Sequence, residues 1–135
     1  MLASIRNMLL RRAPPANPEL IVNGDFAVST GWTAGGGWSI GSGVATAVSS
    51  GSLTRSISVV AGRSYDVGYT VVAWSAGNIA PSFSGGSTVS GATASGLGRK
   101  RTIIVAATGN ATFGFTASGS PNFSIDDVSV KELQP

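Results

Sequence analysis

Hydrophobic and polar positions follow two rhythms in this chain, and the change falls near residue 19. In residues 1–12, Leu2, Ile5, Met8 and Leu9 recur at spacings of three and four, the signature of one helical face. Arg12 falls near the same arc. A helix this short is marginal alone in water, so the segment needs a surface to dock on. Ala13-Pro14-Pro15-Ala16-Asn17-Pro18 follows and reads as a stiff, extended tether. Residues 1–18 therefore predict an N-terminal arm, helical or extended, ahead of a domain spanning residues 19–135.

From Glu19 onward the spacing becomes that of short strands and turns. Leu20-Ile21-Val22 ends at the turn signal Asn23-Gly24-Asp25. Trp38-Ser39-Ile40 and Val44 to Val48 flank Gly41-Ser42-Gly43, which predicts a hairpin. Leu53, Arg55, Ile57 and Val59 alternate with Thr54, Ser56 and Ser58. Tyr65, Val67, Tyr69, Val71 and Ala73 alternate with Asp66, Gly68, Thr70, Val72 and Trp74, which predicts a longer strand whose two tyrosines face the core. Weaker strands are expected at 79–83 and 87–90, then clear ones at 102–106 and 112–117. Phe123, Ile125, Val128 and Val130 close the chain, with Asp126-Asp127 breaking their alternation as a bulge would. Eight or nine short strands with regular turns, no helical pattern after residue 19 and no long repeat predict an all-β sandwich.

Composition narrows the chemistry. Gly, Ser and Thr supply 50 of the 135 residues, and only 11% are charged. Cys and His are absent. Disulfides, Cys/His zinc sites and His-dependent nucleophiles are therefore excluded. Six carboxylates remain for acid–base work. Adjacent Asp126 and Asp127 would face opposite sides of a strand, and glycosidase chemistry needs two acids flanking a cleft. These features argue against an enzyme. The net charge of +3 is spread too thinly for the basic stripe of a nucleic-acid binder. No apolar run is long enough to span a bilayer as a helix.

Three stretches together carry a family resemblance. Asn23-Gly24-Asp25-Phe26 with Thr30-Gly31-Trp32, then Leu53 to Val59 running into Ala61-Gly62-Arg63-Ser64-Tyr65, and finally Phe123 to Val130 resemble, in order and spacing, carbohydrate-binding modules with a galactose-binding-like jelly roll. The resemblance covers roughly residues 20–133 and leaves the arm outside. It implies a jelly-roll β-sandwich whose first and last strands lie together. Domains of this appearance are frequent in bacteriophage virion proteins and in polysaccharide-degrading enzymes.

Candidate site residues follow. Trp38 and Trp74 offer aromatic faces that match the C–H face of a pyranose, and Asn78 and Asn110 offer amides to fix its orientation. Arg99, Lys100 and Arg101 form the one basic cluster of the domain, suited to an anionic partner. The resemblance implies a structural calcium between first and last strands, for which Asp25, Asp126 and Asp127 are the oxygen donors. Otherwise no cofactor is expected. Leu2, Ile5, Met8 and Leu9, with Arg11 and Arg12, are the expected contacts of the arm with a neighbouring subunit.

The reading that joins these features is a bacteriophage virion structural protein made in the host cytoplasm. It would be a decoration, stabilising or tail accessory component present in many copies, with the sandwich facing outward. The alternative is a glycan-binding adhesin module for host recognition. A third is an accessory domain of a polysaccharide hydrolase. Neither nucleic acid nor membrane insertion figures in any of them.

Overall fold

The computed structural model describes residues 17–133, so the expected contacts of the arm lie outside the described residues. Among these residues eight strands occur in order: β1 (Thr33–Ala34), β2 (Trp38–Gly41), β3 (Val44–Ala47), β4 (Gly51–Ser56), β5 (Ser64–Ser84), β6 (Val89–Ser90), β7 (Gly98–Val105) and β8 (Thr112–Glu132). All pairings between them are antiparallel.

β5 and β8 organise the rest. Each is 21 residues long, and they pair with each other from Tyr65↔Glu132 to Ser84↔Thr112. Their register slips repeatedly between Val71 and Asn78, and slips of this kind bend a ribbon and sharpen its twist. The bend divides the sheet into two layers. One layer runs β2, β3, the second half of β8, the first half of β5, and β7. The other runs β1, β4, the first half of β8, the second half of β5, and β6. Expected breaks at 75–78 and 118–122 are therefore corners of continuous strands. Gly77 and Gly119 lie at the corners, yet Ala76 still pairs with Asn122 across them.

The alternation read from the sequence sets the core. Tyr65 and Tyr69 are buried, as expected, and meet the opposite layer edge to face. Tyr65 lies 5.5 Å from Phe83 and Tyr69 lies 5.0 Å from Phe115, between ring centroids. Such pairs contribute about 0.5–1.5 kcal/mol each beyond burial. The Tyr65 hydroxyl accepts from the Val60 amide (2.8 Å) and donates to Glu132 (3.1 Å), so the polar tip is satisfied at the rim.

The ends of the domain meet as anticipated. The Val128 amide donates to the Gly24 carbonyl (2.8 Å), and the Leu20 amide donates to the Val130 carbonyl (2.9 Å). A β-carbon on Gly24 would collide with the Val128 carbonyl oxygen, so only glycine lets these backbones approach. The Glu19 carboxylate completes the junction by accepting from Val130 (2.7 Å). The bulge at Asp126-Asp127 is present: Gly68 pairs with Ser129 but Thr70 with Asp126, and Asp127 adopts φ +51°.

Candidate functional site

The two outer faces of the sandwich differ sharply in chemistry. In the β1–β4–β8–β5–β6 layer, Leu53, Phe113, Phe115, Ile79 and Phe83 point inward and are buried. Strand alternation then turns Ser52, Thr54, Thr112, Gly114, Thr116, Ser82 and Ser84 outward. Register aligns them into rows. Thr54 lies opposite both Thr33 and Gly114, Gly114 opposite Ser82, and Ser82 opposite Ser90. Among the described residues this face carries hydroxyls and no charge. At its centre lies a depression of about 200 Å³, lined by Ser52, Thr54, Ser82, Ser84, Thr88, Phe115 and Thr116 around Gly114. Gly114 forms the floor. A β-carbon there would stand 2.7 Å from the Leu53 carbonyl oxygen and 2.8 Å from Thr54 Cγ2.

The other outer face is charged and cross-linked. Asp66 on β5 receives a bidentate pair of hydrogen bonds from Arg101 on β7 (2.7 and 3.1 Å), and this partner holds the guanidinium pKa above its usual value. Arg99 donates to the Asp127 carbonyl (2.6 Å) and to Thr70 Oγ1 (3.2 Å). Lys100 donates to the Ser95 and Leu97 carbonyls (3.0 and 3.2 Å). Arg99, Lys100 and Arg101, expected as an open anion-binding cluster, are each engaged with the protein itself. Alternation along β7 explains why they are not a cluster. Arg99 and Arg101 share one face, and Lys100 points the other way.

The expected sugar platform is redistributed. Trp38 is buried, its Nε1 donates to the Gly51 carbonyl (3.1 Å), and its ring meets Phe123 edge to face at 5.8 Å. It is a core residue, contrary to expectation, because β2 pairs with β3 and carries its inward side chains under the sheet. Asn110 is also buried. Its Oδ1 accepts from the Ala107 amide (2.8 Å), and its Nδ2 donates to the Gly85 and Ser87 carbonyls (2.8 and 2.6 Å). It clasps two loops and offers nothing to a ligand. Trp74 and Asn78 remain exposed, both in the bent part of β5. Of the ten aromatic rings in the chain, nine are buried and Trp74 alone is accessible, its Nε1 donating to the Gly77 carbonyl (3.2 Å).

The three acids of the anticipated calcium site do not converge on one point. The Asp25 carboxylate accepts from the Ala27 amide (3.1 Å), and that of Asp126 accepts from the Asp127 amide (2.7 Å). Desolvation raises the Asp126 pKa, and the nearby charges of Asp127 and Asp25 add to the rise. No group of three acidic side chains close enough to hold a metal ion occurs among the described residues.

The uncharged face is not evident from the sequence, although its signal is there: Ser or Thr at every second position of 52–56, and again at 82–84 and around Gly114. Only the register shows that these rows are neighbours.

No protein-family profile and no curated protein matches the chain. Solved structures do. One of them, described as "CBM4 structure and function", superposes with a TM-score of 0.54 and 13% sequence identity, covering 78% of this chain and 96% of that one. The fold is that of a carbohydrate-binding-module-like jelly roll. At this identity the likeness speaks for the architecture, while the chemistry of the outer faces is particular to this chain.

Proposed function

We propose that this protein is a non-catalytic binding module for a neutral, hydroxyl-rich glycan, held on the Ser/Thr face around Gly114. The observation that carries the reading is the absence of charge on a solvated sheet face that also holds a concave depression. Hydroxyls both donate and accept, which suits the alternating groups of a sugar. No charged residue pays the desolvation cost of a close neutral ligand. The CBM4 structure that the chain resembles supports the class of ligand. A non-catalytic role is supported by the carboxylates. Asp66 and Glu132 are in ion pairs, and Glu19, Asp25 and Asp126 bond backbone amides. None of them lines the depression.

The test is calorimetric titration of the full chain with neutral and with anionic oligosaccharides. Saturable binding of a neutral sugar is expected, weakened by Ser52→Ala with Thr116→Ala. At roughly 1 kcal/mol per hydrogen bond, the double variant loses about tenfold or more in affinity with unchanged thermal stability. Binding that survives this variant and disappears in Trp74→Ala would move the site to the bend of β5.

The setting we infer for the module is a bacteriophage particle, where repeated copies would add avidity to weak individual sites. Its support is in the sequence: the apolar, arginine-bearing pattern of residues 1–12, the proline-rich tether, and the resemblance of residues 20–133 to domains frequent in virions. Ile5→Asp with Leu9→Asp is expected to remove the protein from purified particles while leaving it folded. Full occupancy of particles by that variant refutes the placement.

A further inference from the structure

We propose that the free edge of β7 pairs with β7 of a second copy, antiparallel about Ile104, and joins two sandwiches through one continuous sheet. Among the described residues β7 has a strand neighbour on one side only, β5. The hydrogen-bond phase shows which residues face the open side. The Leu133 amide donates to the Ser64 carbonyl (2.8 Å), so Ser64 turns its backbone toward β8. Tyr65, the next residue, turns toward β7, where Ile104 lies opposite. The Ala106 amide donates to the Arg63 carbonyl (2.9 Å), in the same phase. Even-numbered residues of β7 thus satisfy their backbone groups on β5. Arg101, Ile103 and Val105 direct N–H and C=O to the open edge, where no loop backbone bonds to them among the described residues.

The side chains on that edge are unusual for a solvated strand. Ile103 is 59% exposed and Val105 51%. Unpaired edges are commonly protected by charge, and Arg99 and Arg101 do so over the first half of β7. The second half has no such guard. A two-fold axis through Ile104 places Ile103 opposite Val105 of the second copy, twice, with outward-facing backbone groups matched on both strands. Arg101 then falls opposite Ala107, and the two Arg101 side chains stand about 20 Å apart at roughly 3.4 Å per residue. Moving the axis to Ile103 sets Arg101 against Val105, and moving it to Thr102 sets Arg101 against Ile103. An axis at Val105 would leave Ile103 opposite Ala107, outside β7, so the arginines on one side and the strand end on the other favour the register about Ile104 and keep the ladder short. This inference is independent of what the Ser/Thr face binds, since that face lies on the other layer.

Sedimentation velocity of the full chain over a wide concentration range tests it. A concentration-dependent dimer is expected. Ile103→Pro removes an N–H from the open edge without touching the β5 ladder, and proline is tolerated at such positions. Two symmetry-related bonds disappear, which weakens the dimer by about thirtyfold. Val105→Lys, which keeps the backbone intact, is expected to weaken it as well, and near-ultraviolet circular dichroism checks that both variants stay folded. Leu9→Asp in the arm is expected to leave the dimer unchanged. A monomer at every concentration, a dimer that persists in folded Ile103→Pro, or one that is lost in Leu9→Asp overturns the proposal.

Discussion

Replacing Asn110 separates a ligand-binding role from a structural one. Its side chain makes three hydrogen bonds to backbone groups of two loops, all between 2.6 and 2.8 Å. It is 8% exposed, so water replaces few of them. Asn110→Ala leaves one amide and two carbonyls without this partner. At about 1 kcal/mol each, the loss is roughly 2–4 kcal/mol, which for a domain of this size lowers Tm by about 8–15 °C. Asn110→Asp keeps the acceptor for Ala107 but sets a carboxylate against the carbonyls of Gly85 and Ser87. It is therefore expected to be less stable than Asn110→Ala at pH 7. Below the carboxyl pKa it regains one donor, so its deficit shrinks as pH falls toward 3. Thermal denaturation followed by circular dichroism between pH 3 and 7 reads both effects. Sugar affinity, measured well below the new Tm, is expected to be unchanged. A stable Asn110→Ala protein with lost sugar binding refutes the clasp and returns the residue to a site.

Further outcomes follow from the same structure. Burial pushes the Tyr69 hydroxyl up to about 12. A group that keeps its proton longer in the folded state stabilises it below the unfolded pKa near 10 and loses that contribution as pH rises toward 12, so stability is expected to fall by up to about 2–3 kcal/mol over that window. Urea denaturation of wild type and Tyr69→Phe measures it, and equal slopes in both proteins exclude Tyr69 as the source. Leu53 is fully buried between the layers, and Leu53→Ala is expected to cost about 2–5 kcal/mol by chemical denaturation. Gly24→Ala sets a methyl against the Val128 carbonyl and breaks the junction of first and last segments. It is expected to cost more than the roughly 1 kcal/mol typical of a point substitution, and a neutral result would show that the junction yields.

Local alternation wrote much of this fold into the sequence. Tyr65, Val67, Tyr69 and Val71 are inward because every second residue of a strand shares a face. The hairpin of β2 and β3 forms around Gly41–Gly43 with Trp38 opposite Ala47, as the turn residues required. The bulge at Asp126-Asp127 was marked by its break in alternation. Gly24 and Phe26 announced the close packing of the first turn. The absence of Cys and His excludes whole classes of chemistry by composition alone.

Tertiary structure decided what lies next to what. Trp38 and Asn110 look like ligand groups in the chain, and burial makes one a core ring and the other a clasp. Whether an aromatic faces water depends on which strand covers it, and pairing between distant segments is not a local property. Arg99, Lys100 and Arg101 are consecutive in sequence, yet alternation and the partners on β5, β8 and the preceding loop disperse them. The Ser/Thr face is the converse case. Residues 52–54, 82–84 and 112–116 are far apart along the chain and become one surface only because β5 and β8 bend together and bring β4 alongside. The sequence determined which side of each strand is apolar, since that is set by two-residue periodicity. Register and the bend determined which polar sides are neighbours, since those depend on hydrogen bonds between residues many positions apart.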